Sequence, residues 1–77
     1  MNGIGTLKDL RQGQAARVKA LLSKGSIRRR LLDMGLTEGT RVECLQKSPA
    51  GDPTAYLIRG AVIALRTEDS SKILIYA

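Results

Sequence analysis

Three consecutive arginines, Arg28, Arg29 and Arg30, lead the stretch SIRRRLLDMGLTEGT, Ser26 to Thr40. The chemistry they offer is recognition, because a planar guanidinium fork pairs with carboxylates on a partner surface. Their setting is a short helix. Ser26 is a good N-cap, and Ile27, Leu31 and Met34 recur at i, i+4 and i+7 and share an inward face. Gly35 fits the left-handed position past Met34, with Leu36 packing back on Leu31 in a Schellman-type stop. Cations at a helix start oppose the macrodipole, each by up to about 1 kcal/mol when exposed. One reading is a solvated helix start whose aliphatic stems cover apolar surface. The other is a basic rim around a docking surface, with Lys24 beside it and Leu32, on the opposite face from the core, as its hydrophobic anchor. A second candidate contact is the loop SPAGDP, where Gly51, Asp52 and Pro53 supply turn chemistry at the end of a rigid scaffold.

Most catalytic constellations are excluded by composition. There is no histidine, and the one cysteine, Cys44, falls at an inward strand position, so neither a Cys/His metal cluster nor a Cys/His nucleophile pair can form. The carboxylates Asp33, Glu38, Glu43, Asp52, Glu68 and Asp69 are scattered and resemble no calcium loop. The glycines match no phosphate-binding pattern, since Lys8 stands where a third glycine is needed after Gly3 and Gly5. The chain is therefore not expected to be an enzyme. Nucleic-acid binding has the charge but not the stacking platforms, because Tyr56 and Tyr76 are the only aromatics and do not interleave with the arginines.

Length and charge set the frame. Seventy-seven residues make a single domain, residues 1–77, and 43% apolar residues without Phe or Trp mean a core of Leu, Ile, Val, Ala and Met. A lone cysteine and an N-terminus with no export pattern predict a cytosolic protein. The longest apolar run, AVIAL, is far below the roughly 20 residues that span a bilayer, so no membrane insertion is expected. The net charge of +6 lies wholly in residues 1–35, with eight Lys/Arg against two Asp, while residues 36–77 are balanced at five against five. Such asymmetry suggests attraction to something acidic.

The elements that must position these residues are short. Alternation in QAARVKAL and RVECLQ predicts two half-buried strands, TAYLIRGAVIALR reads as a hairpin divided at Gly60, and KILIY closes the chain. Thr6 can cap a turn through Leu7 and Leu10 that plugs one end of the core, and Thr67 can cap a turn over EDSS. The fold class predicted is mainly β, a small five-stranded SH3-like barrel with one short α-helix inserted after the first strand.

These motifs carry a resemblance. The segment from about Leu7 to Ile75 closely resembles the FeoA family, itself related to the C-terminal SH3-like domain of iron-dependent repressors. Its specific parts are Leu31-Leu32-Asp33-Met34-Gly35-Leu36 with Gly39 following, the loop Pro49-Ala50-Gly51-Asp52-Pro53, and Arg59-Gly60 leading to Ala64-Leu65-Arg66. Ser48 and Ser70 depart from alanines frequent in the family. The resemblance implies a cytosolic accessory protein of ferrous iron uptake acting on FeoB, the membrane ferrous iron transporter, through its cytosolic region. The candidate partner-binding residues are then Lys24, Arg28, Arg29, Arg30, Leu32, Gly51, Asp52 and Pro53. No catalytic residue, cofactor or metal site is expected, ferrous iron lacks a supporting ligand set, and the oligomeric state is not fixed. A small nucleic-acid-binding barrel and a ferrous-iron-binding regulator stand as alternatives.

Overall fold

The computed structural model describes residues 4–76. The alternating segments become β2 (Ala15–Leu21) and β3 (Arg41–Lys47), preceded by β1 (Ile4–Thr6). The hairpin is β4 (Thr54–Ile58) and β5 (Ala61–Leu65), and the last strand is β6 (Ile73–Tyr76). Two helices interrupt them, α1 (Gly25–Asp33) and α2 (Thr67–Ser70). The strands form one antiparallel sheet in the order β1-β6-β2-β3-β4-β5. Register shifts between Val18 and Ala20 in β2 and between Cys44 and Gln46 in β3 place bulges in two interior strands. Bulges of this kind bend a sheet sharply enough to curl it around a single core.

The strand count is six where the sequence predicted five. Ile4–Thr6 is too short to carry an alternating period, and it becomes a strand only because β6 supplies a partner, with Gly5 opposite Ile75 and Thr6 opposite Leu74. The capped turn after it forms as a 3₁₀ turn, Leu7–Asp9. Asp9 Oδ2 accepts from the Thr6 N–H at 2.9 Å and from the Thr6 hydroxyl at 3.1 Å. The Thr6 backbone bond is the main cause holding the Asp9 carboxyl below its ordinary range. Leu7 and Leu10 are both buried, so the turn plugs the core as its composition implied.

Val18, Leu36, Val42, Cys44, Tyr56, Ile58 and Ile73 fill the centre. Burial pushes the Cys44 thiol up, which fits an inert core residue. Tyr56 carries its hydroxyl into the interior and donates to the Leu7 carbonyl at 3.4 Å, fastening the plug to the barrel.

The helix stop forms as its local sequence dictates. Gly35 sits at φ +98°, its N–H donates to the Leu32 carbonyl at 2.9 Å, and the Leu36 N–H donates to the Leu31 carbonyl at 3.1 Å. These two bonds define a Schellman motif. The helix start differs from the sequence expectation. Lys24, not Ser26, is the N-cap, and Gly25 at φ +68° turns the chain into the helix. Ser26 makes no capping bond because it already lies inside the first turn. Ile27, expected to face inward, is 36% exposed, and Leu31 is the one buried residue of α1. A nine-residue helix resting on a bent sheet touches it along a narrow line, so only the centre of its apolar face is covered.

Candidate functional site

The shift of the helix start changes the electrostatics of the arginine run. No acidic residue lies in the first turn of α1, but Arg30 now falls in its last turn, where a cation complements the carbonyl end of the dipole. The cost that the sequence assigned to three cations at a helix start is therefore largely removed.

Nor does the run remain a cluster in space. Arg28 turns back to β2 and donates through Nη1 to the Leu21 carbonyl at 2.8 Å. Arg30 lines a groove of about 310 Å³ between α1 and the β5–α2 segment, whose walls include Ile27, Met34, Ile63 and Asp69. Arg29 lies with Gly25 and Ser26 on the outer side of the helix start. Consecutive helical residues are about 100° apart around the axis, so three in a row fan across most of the circumference. Leu32 is 39% exposed and borders a concavity shared with Arg28, Lys19 and Glu38. Lys24 is exposed at the N-cap.

The loop residues have a different setting. Gly51 takes φ +84°, and its N–H donates to the Ser48 carbonyl at 2.8 Å, closing a turn. Asp52 Oδ1 accepts from the Thr67 N–H at 2.8 Å. Asp52 thus caps α2 from a distant loop, a role the sequence had given to Thr67. The Asp52–Pro53 peptide bond is cis. Loop and helix border the same stretch of chain, since residues 63–66 and Asp69 wall the α1 groove while Thr67 binds the loop. Asp52→Ala is expected to lower stability by about 1 kcal/mol, and Asp52→Asn, which keeps an acceptor, by a few tenths. Thermal unfolding of the two variants checks it.

Sequence reasoning did not single out Arg17 and Arg41, and it noted Arg59 only as part of a motif. These three line one cleft of about 430 Å³ with Thr40, Leu57 and Gly60. Their joint position depends on strand register, and no local pattern reports it. Among the described residues no three His, Cys, Asp or Glu side chains converge on a point that could hold a metal ion. No helix there is long and apolar enough to cross a membrane.

A single antiparallel sheet bent around one core, with a helix between its second and third strands, defines a small SH3-like domain. The profile of the FeoA domain matches residues 5–77, and the chain belongs to the FeoA family. The solution structure of the FeoA protein from Chlorobium tepidum is 30% identical, with a TM-score of 0.87, covering 92% of this chain and 68% of that one. Stenotrophomonas maltophilia FeoA complexed with zinc, described as a prokaryotic SH3 domain protein, is 26% identical with a TM-score of 0.81, covering 91% of this chain and 87% of that one. A fusion of Fe(2+) transport protein A with the Fe(2+) transporter FeoB from Porphyromonas gingivalis is 34% identical over 67 residues. That match takes in 87% of this chain and 8% of the fusion protein's length.

Proposed function

We propose that this protein is an accessory component of ferrous iron uptake that binds the cytosolic region of the transporter FeoB and performs no chemistry of its own. The observation that carries the reading is the relative in which the matching segment is fused to FeoB on one polypeptide. Fusion turns an encounter between two chains into an intramolecular one, with effective concentrations reaching the millimolar range for short flexible linkers. Such an arrangement suits a domain whose work is contact with the transporter.

The contact surface on this reading is the exposed side of α1. Leu32 offers an apolar anchor beside Arg28, Arg29 and Lys24 provide charge, and the loop Gly51–Pro53 lies across the α2 segment. An apolar, desolvated centre with a polar rim in which arginine is enriched is the usual composition of an interface. Pull-down of FeoB from solubilised membranes is expected to fall at least about tenfold, equivalent to 1.4 kcal/mol, when Lys24, Arg28, Arg29, Arg30 and Leu32 are replaced together. Circular dichroism establishes that the variant folds. Equal recovery by the folded variant and the parent would remove α1 as the contact surface.

A further inference from the structure

We propose that the cleft ringed by Arg17, Arg41 and Arg59 is a second recognition surface, one that binds a carboxylate-rich segment of a protein partner. The register of the sheet builds it. Arg17 of β2 stands directly opposite Arg41 of β3, and the β3–β4 register, with Val42 opposite Ile58, sets Arg59 just beyond, beside Arg41. Three arginines, two on adjacent strands and the third in the turn that follows β4, thus stand side by side at one end of the sheet and line one cleft. Like charges placed directly opposite on paired strands cost stability. The fold does little to neutralise them. Among the described residues the row's one ion pair is Arg41 with Glu43, at 3.5 Å and with the Arg41 side chain 58% exposed.

Two members of the row are held in place before any partner arrives. Arg17 Nη1 donates to the Gly39 carbonyl at 2.8 Å. Arg59 donates through Nε to the Gly35 carbonyl at 3.2 Å and through Nη2 to the hydroxyls of Thr37 and Thr40 at 3.4 and 3.2 Å. A guanidinium has five N–H donors, so most donors of the row remain for a ligand, and tethering reduces the side-chain entropy lost on binding. Arg59 also occupies the first central position of the β4–β5 turn at φ +50°, with Gly60 following at φ +83°. Asn, Asp or Gly is the usual choice there, and an arginine needs another reason. Tethering the segment from Gly35 to Thr40 accounts for Arg59 and, through Gly39, for Arg17. It does not account for Arg41.

The lining selects among anions. Leu57 is the one apolar side chain of the cleft and no aromatic borders it, so bases of a nucleic acid would find nothing to stack on. The cleft is open to solvent along the sheet end and would leave a small phosphorylated molecule largely exposed, whereas ligand sites bury most of their occupant. An extended peptide with acidic side chains satisfies the row by lying along it, each carboxylate taking a forked pair of N–H groups.

Fluorescence anisotropy with a labelled peptide of alternating glutamate and serine tests the assignment, and the transporter is absent from the experiment, so it stands or falls apart from the α1 reading. Saturable binding is expected, weakened about tenfold by Arg41→Ala and strengthened at low salt. Lys47→Ala with Lys72→Ala, both exposed and the former at the opposite end of β3 from Arg41, is expected to change affinity by less than about twofold, as for exposed charges away from a contact. Amide resonances of Gly39, Thr40 and Gly60 are expected to shift on titration. Three results would overturn the proposal: no saturable binding, equal weakening by the Lys47 and Lys72 pair and by Arg41→Ala, or tighter binding of oligothymidylate or inorganic tripolyphosphate than of the peptide.

Discussion

Gly35→Ala is expected to destabilise the protein by about 2–4 kcal/mol, and two separate causes contribute. The first is backbone conformation. Gly35 holds φ +98° as the residue that ends α1, and a side chain there costs roughly 1–2 kcal/mol. The second is steric. A Cβ at Gly35 would lie 2.5 Å from Arg59 Cδ and 2.8 Å from Arg59 Nε, against the middle of a side chain whose far end is tied down. Arg59 would have to swing away and release its bonds to Gly35, Thr37 and Thr40, each worth about 1 kcal/mol net or less. Gly13→Ala separates the two causes, because Gly13 has φ +88° and open space within 4 Å of the added carbon. Urea unfolding should show Gly13→Ala losing only the backbone part, with unchanged m-values for both variants. Equal losses at the two positions would mean that Arg59 contributes no net stability through this clamp.

Leu31 and Leu32 are neighbours with opposite expected fates. Leu31 is 2% exposed and is the sole buried residue by which α1 is held to the core. Leu31→Ala is expected to cost about 3 kcal/mol through lost transfer energy and the cavity left behind. A domain of this size has a net stability of only about 3–5 kcal/mol, so that loss approaches unfolding at physiological temperature. Leu32 is 39% exposed, and Leu32→Ala is expected to cost less than about 1 kcal/mol of stability. Its expected effect is on binding instead, where an apolar anchor at an interface centre is worth about 2 kcal/mol or a roughly thirtyfold change in dissociation constant. Denaturation curves and FeoB pull-down on the two variants give the contrast. A Leu32→Ala variant that binds like the parent would take Leu32 out of the contact surface.

Much of the architecture rests on decisions made within a few residues. The Schellman stop needs only Leu31, Gly35 and Leu36, and the β4–β5 hairpin needs only two β-rich runs around Arg59-Gly60. Alternation in β2 and β3 places Val18, Val42 and Cys44 inward whatever lies opposite. Each of these was legible because its cause is local. The N-cap at Lys24 was missed because Ser26 has the better intrinsic capping chemistry, while the turn at Gly25 that enters the helix is set by the path from the end of β2.

By itself the chain determined the inward residues of its alternating strands, its helix stop, its hairpin and the cationic character of its first half, since each follows from side-chain type and short-range spacing. Tertiary structure decided what those cations became. Folding dispersed Arg28, Arg29 and Arg30, which are adjacent along the chain, around a helix, and it lined up Arg17, Arg41 and Arg59, which are far apart in sequence, by antiparallel register. It also made a strand of Ile4–Thr6 and a helix cap of Asp52. The reason is physical: register depends on how bulged strands pair across the whole sheet, and a one-residue slip would turn the same arginines to the opposite face.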